Sequence, residues 1–178
     1  MTADPISFGA RLRQLAQQRG DAEAVLFVPA QGAPQSLSWR ALDALVDRFA
    51  HGLRDRGVGQ GDVVGFALGN VPAHLAMALA IWRLGATTMV LDPGMKPEPM
   101  AAMKARSNAA LIVTAQPGGG DLDLARFEAE ATAPAKPLPE LMSNPGKIVL
   151  SGGSTGLPKM MADARDFARI PGHSWGRV

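Results

Sequence analysis

The 178-residue sequence predicts an α/β fold, a doubly wound and mostly parallel sheet flanked by helices, and three features predict it. Apolar runs of strand length recur at Asp62–Leu68, Thr87–Leu91 and Ala109–Thr114. Stretches of helical periodicity lie between them, and Gly or Pro punctuates most of the junctions. Strands apolar on both faces and separated by helices are the pattern of parallel strands covered on either side and joined by right-handed crossovers.

Taken in order, Ser7 is placed to cap a first helix, in which Phe8, Leu12, Leu15 and Ala16 recur at helical spacing until Gly20 stops it. Ala24–Val28 reads as a short strand. Ser38 caps a second helix whose Trp39, Leu42, Leu45, Val46, Phe49 and Leu53 form one apolar stripe, closed by Gly57. After the run at Asp62–Leu68, Asn70 and Pro72 signal a helix start before Ala73–Leu84, and Gly85 ends it. Thr87–Leu91 is the next strand, Pro97–Ser107 the next helix and Ala109–Thr114 another strand. From Gln116 to Pro145 the glycines at 118–120 and the prolines at 134, 137, 139 and 145 predict an extended surface connection with at most one short helix near Asp121–Ala131. Ile148–Leu150 then reads as a short strand.

That strand runs into the most informative stretch, Ile148–Lys159, IVLSGGSTGLPK. Gly152, Gly153 and Gly156 permit positive φ and close approach of the backbone to a ligand. Consecutive amides converging on one concavity form an anion nest, to which Ser151, Ser154 and Thr155 add hydroxyl donors and Lys159 a mobile charge. On composition, a solvated surface linker fits equally well. The spacing excludes the GxxxxGK[ST] phosphate loop, because Lys159 follows Gly156 by three positions and Met160 stands where a Mg-binding hydroxyl is needed. In doubly wound sheets ligands bind beyond the carboxyl ends of the strands, which is where a loop after Leu150 falls.

Composition narrows the setting. The absence of cysteine excludes disulfides, thiolate nucleophiles and Cys-based metal sites. A formal net charge of +2, with Lys and Arg scattered along the chain, argues against nucleic-acid binding. No apolar run approaches the ~20 residues that span a bilayer, and no secretory signal opens the chain, so a cytoplasmic location is expected. His51, His74 and His173 lack ligand spacing, and no metal site is expected; His74 suits packing or capping near a helix start. Met95, Met100 and Met103 read as gap-filling core, and the acidic residues at 121, 123, 128 and 130 as a solvated face.

Ser151-Gly-Gly-Ser-Thr-Gly-Leu-Pro-Lys159 resembles the phosphate loop of the adenylate-forming enzymes, which include acyl-CoA synthetases, aryl-acid ligases, luciferases and peptide-synthetase adenylation domains. Two further segments resemble the same family in the same order: Leu37-Ser-Trp-Arg-Ala-Leu42, and Arg83-Leu-Gly-Ala86 followed by Val90-Leu-Asp-Pro93. The resemblance spans roughly Phe8 to Lys159. It implies one partial AMP-binding domain over residues 1–178: an α/β part over 1–115, a linker-like segment over 116–145, a strand and phosphate loop over 146–160 and a C-terminal remnant over 161–178. It implies the first part of an ATP-dependent carboxylic acid–CoA ligase, in which an acid and ATP give an acyl-adenylate and pyrophosphate, and CoA or a carrier thiol then displaces AMP.

In that reaction the resemblance assigns Ser151, Gly152, Gly153, Ser154, Thr155 and Gly156 to the β- and γ-phosphates and Lys159 to charge neutralisation as pyrophosphate departs. Mg²⁺ is implied with the nucleotide, its protein ligand expected outside this chain. The family's later motifs for adenine, ribose, the hinge and the C-terminal catalytic lysine have no counterpart here. The loop reads SGGSTG where TSGTTG is commonest, and Met160-Met161 replace a frequent Gly-Val, a variation shared with branches acting on aryl or steroid-like acids. A non-catalytic paralogue that binds nucleotide or polyphosphate, or pairs with another chain as in a homodimer, is the competing reading.

Overall fold

The computed structural model describes residues 4–132, 137–152, 157–163 and 167–170. The chain begins with α1 (Phe8–Arg19), an antiparallel pair β1 (Glu23–Phe27) and β2 (Gln35–Ser38), and α2 (Trp39–Arg54). There follow β3 (Val63–Ala67), α3 (Pro72–Arg83), β4 (Thr87–Val90), α4 (Pro97–Ser107), β5 (Ala109–Thr114), β6 (Leu122–Asp123), α5 (Leu124–Glu130), β7 (Lys147–Ser151) and β8 (Lys159–Ala162). The main sheet has the order β6-β5-β3-β4-β7-β8, parallel from β6 through β7, with β8 antiparallel at the edge. This is the expected mostly parallel sheet flanked by helices.

Local chemistry sets the element ends. The Ser7 hydroxyl accepts from the Ala10 amide at 2.9 Å and that of Ser38 from the Ala41 amide at 3.2 Å, each satisfying a donor that the first helical turn leaves open. α3 starts with Pro72 in its first turn, without a side-chain cap, and Gly85, at φ 68°, turns the chain out of it and into β4. His74 packs edge-on against Phe66 and its Nδ1 lies 2.9 Å from the Gly69 carbonyl, the packing role its position suggested.

Alternation along the strands sorts the core into two layers. Val64 and Phe66 of β3 and Val113 of β5 face α2 and α3, where Val46, Phe49, Leu53, Met77 and Ile81 are fully buried. Ala67, Met89 and Ile112 face α4, whose Met100 and Met103 fill that side with Met95 packed alongside. Each fully buried aliphatic or aromatic side chain contributes about 1.5–3 kcal/mol relative to exposure. Arg83 is the one large charged group in this core, 2% exposed, and it donates to the carboxylates of Asp43 and, at 3.0 Å, Asp47, so α3 is tied to α2 by a paired rather than an orphaned charge.

Three short strands exceed what the sequence predicts. β2 pairs with β1, β6 adds an edge beside β5, and β8 turns back along β7. The segment from Gln116 to Pro145 carries the one short helix expected near Asp121–Ala131, and it also buries Leu122, Phe127, Ala131 and Leu138 against the body. Its acidic residues are partly structural: Asp121 accepts from the Ile112 amide at 2.7 Å and pairs with Lys104, and Asp123 caps α5. No helix among the described residues is long and apolar enough to cross a membrane.

Candidate functional site at the carboxyl edge of the sheet

β7 runs parallel to β4, with Lys147 opposite Thr88 and Ile148 opposite Met89, so its carboxyl end emerges on the same edge as those of β3, β4 and β5. The connection between β7 and β8 therefore sits on that edge, where the sequence placed its phosphate loop. Of the residues assigned to it, Ser151, Gly152 and Lys159 are described, and Gly153, Ser154, Thr155 and Gly156 lie outside the described residues. Ser151 closes β7 and Lys159 opens β8, and the two are register partners across the antiparallel pair. The glycine stretch thus connects two paired antiparallel strands, and the lysine, which the sequence reading left at the end of a loop, is held in a strand.

One detail departs from the expectation for the glycines. Gly152 does not adopt positive φ, and a Cβ added there would meet no described residue within 4 Å. Lys159 is exposed and has no carboxylate partner among the described residues, which leaves its charge available to an incoming anion.

A second cation joins it. Arg106, exposed on the last turn of α4, donates from Nη1 to the Pro158 carbonyl at 3.3 Å, at the exit of the glycine stretch. The sequence reading did not single it out: 52 residues separate it from Pro158, and a basic residue ending a helix also has a local explanation in the helix dipole. Leu157 and Met160 pack on the α4 side of the core, which fixes the exit of the loop against the sheet.

The same edge holds a small cavity of about 220 Å³ beyond β3 and β5, lined by Ala67, Pro93, Met95, Thr114 and Gln116 among others. The neighbouring Asp92 turn, where Oδ1 accepts from the Gly94 amide at 2.9 Å, forms the segment read as a family motif. On the α3 side of β7 an open cleft of about 550 Å³ is lined by His74, Leu75, Trp82, Val90 and Val149. The arrangement combines a hydroxyl-bearing strand end, a glycine turn and two cations with a flanking apolar cleft. It suits an anion carried beside an apolar group.

A family model described as AMP-binding enzyme matches residues 12–162. Among curated relatives, acetyl-coenzyme A synthetase of Sodalis glossinidius (strain morsitans) is 39% identical over 104 residues, covering 57% of this chain and 16% of the relative. Olefin beta-lactone synthetase of Stenotrophomonas maltophilia (strain K279a) is 30% identical over 190 residues, covering 87% of this chain and 34% of the relative. The solved N-terminal domain of FACL13 from Mycobacterium tuberculosis, in an inhibitor-bound crystal structure, superposes with a TM-score of 0.74 at 20% identity, over 91% of this chain and 44% of that one. The chain thus spans less than half the length of each of these proteins. With the strand order, the hairpin-borne glycine loop and a family match over most of its residues in agreement, this chain belongs to the AMP-binding enzyme family.

Proposed function

We propose that the chain is the first part of an ATP-dependent carboxylic acid–CoA ligase and that its hairpin tip holds the pyrophosphate portion of ATP. The observation that carries this reading is the register of the hairpin. Ser151 and Lys159 face each other across β7 and β8, so a hydroxyl and an ammonium flank one glycine turn at the carboxyl edge of the sheet. Attack of the acid carboxylate on the α-phosphate breaks the bond to the bridging oxygen and leaves negative charge on pyrophosphate. Amides and hydroxyls of residues 151–156 would receive that charge, with Lys159 neutralising it and Arg106 adding a second, weaker field.

Mg²⁺ would arrive with the nucleotide. Its protein ligand is expected outside this chain. CoA as the acceptor follows the names of relatives such as acetyl-coenzyme A synthetase, whereas the beta-lactone synthetase relative leaves a different second half-reaction open. A cytoplasmic setting accords with the absence of cysteine and with a reaction that uses ATP. The test is acid-dependent ATP–pyrophosphate exchange by any longer product of the same gene, beside pyrophosphate titration of the 178-residue chain. Exchange in the first and saturable binding in the second are expected; binding without exchange would favour the non-catalytic polyphosphate-binding reading, and neither would remove the loop's assignment.

A further inference from the structure

The root of the β7–β8 hairpin is gripped far more heavily than its short pairing with β4 would suggest. Only Lys147 and Ile148 of β7 are in register with β4, beside Thr88 and Met89. Just before them, three donors converge on the Gly146 carbonyl: Trp82 Nε1 at 2.7 Å, the Thr88 hydroxyl at 3.2 Å and the Thr88 amide at 3.1 Å. One residue earlier, the Pro145 carbonyl accepts from the Thr87 hydroxyl at 2.6 Å. Thr87 and Thr88 are 1% and 2% exposed, so these bonds are made away from solvent, where leaving a polar group unpaired is costly.

The returning arm is fastened at the same place. The Asp163 amide donates to the Lys147 carbonyl at 3.1 Å, and the Phe167 amide to Ser143 at 3.0 Å. The Phe167 ring lies 4.7 Å from that of Trp82 and 4.8 Å from that of Phe8. A Cβ on Gly146 would stand 1.9 Å from Phe167 Cγ, so this ring occupies the space that a side chain at 146 would need. Both stems of the hairpin therefore meet at one buried point on α3 and β4.

We infer that Trp82 and Thr88 are positioning residues for the phosphate loop: through the Gly146 carbonyl they fix the stem of the hairpin, and with it the place of Ser151 and Lys159. Both side chains also line the cleft beside β7, but the role argued for them is exerted through the Gly146 carbonyl. This rests on the reading of the tip as a pyrophosphate site, and the two are separable by experiment.

Trp82→Phe keeps an aromatic ring between Phe8 and Phe167 but removes the donor, together with part of the indole's volume. Thr88→Val removes the hydroxyl, and Thr88→Ser restores it. In the 178-residue chain each loss should speed hydrogen exchange of the amides at 148–151 and 159–162, and should weaken inorganic pyrophosphate binding about five-fold, the equivalent of one hydrogen bond. Thr88→Ser should return both to the parent values. As a control for general destabilisation, Ile81→Val, at the neighbouring and fully buried position of α3, should lower the melting temperature and leave pyrophosphate affinity unchanged.

Unchanged exchange in Trp82→Phe and Thr88→Val would overturn the anchor. Faster exchange with unchanged affinity would overturn the positioning role. A parent chain that binds no pyrophosphate would overturn the pyrophosphate reading and the positioning role together, with the exchange measurement still deciding whether the anchor exists.

Discussion

The sheet body and the β7–β8 hairpin are built on opposite terms. In β3 four of five residues are buried, and the strand is paired on both sides and covered by helices on both faces. In the hairpin no residue of either strand is fully buried, and Val149 and Met161 lie 45% and 53% exposed on the face away from α4. The body owes its geometry to apolar packing distributed over many residues. The hairpin owes its geometry to a few polar contacts at its root and to Ile148, Leu150, Leu157 and Met160 on one side. The second construction suits the proposed pyrophosphate site, since the stems are held at the root and not by burial of the strands themselves.

The largest effect should come from the body. Phe49 is fully buried and meets Phe127 edge-on at 5.0 Å, joining α2 to the helix of the 116–145 segment. Phe49→Ala is expected to cost about 3–5 kcal/mol, read from the urea midpoint at unchanged slope. A cost near that of a surface change would mean that α5 packs less closely than the contact implies.

Gly146→Ala should rank next and strike both regions at once. The added methyl collides with Phe167 and has no free space to enter. Overpacking of this kind costs about 1–3 kcal/mol. Unlike Phe49→Ala, it should also lower pyrophosphate affinity, because the ring it displaces belongs to the hairpin root; equal losses of affinity in the two variants would erase the distinction between body and hairpin.

Lys159→Ala reverses the pattern. The side chain is exposed and unpaired among the described residues, so stability should stay within ~0.5 kcal/mol of the parent. Pyrophosphate affinity should nevertheless fall at least about ten-fold, the loss expected of a charge-assisted contact. Arg106→Ala, which removes a cation already engaged with the Pro158 carbonyl, should weaken binding less. Calorimetric titration decides the order, and an Arg106 effect larger than that of Lys159 would move the centre of the site toward α4.

The same contrast explains which parts could be read from the sequence. α4 and β5 coincide residue for residue with the expected Pro97–Ser107 and Ala109–Thr114, and Ser7 and Ser38 cap where they were expected, because these signals are local. β2, β6 and β8 are two to four residues long, too short for periodicity to register, and each exists only through its partner strand. Lys159 was found as a residue type in a motif, but its place opposite Ser151 is a property of pairing. The hairpin root was invisible for the same reason: 64 residues separate Trp82 from Gly146, and neither carries a local mark of the bond between them.

The smallest effect concerns the outer rim of the body, where Glu130 joins α5 to Arg56 in the turn after α2. Its carboxyl is held below the usual range, first by the hydrogen bond from Arg126 at 2.7 Å, with Arg56 adding to the same direction and burial opposing it. A carboxylate with a depressed folded pKa contributes stability that is fully present above its unfolded value of about 4.3 and is lost as pH falls through the folded value. Glu130→Gln should therefore lower the urea midpoint slightly at neutral pH, with the difference from the parent shrinking on acidification. The pair is solvent-exposed, so added salt should shrink that difference as well. A gap that persists at acid pH would assign the contribution of Glu130 to packing of its stem against α2 rather than to charge, and would place this rim with the apolar body instead of with the polar contacts that hold the hairpin.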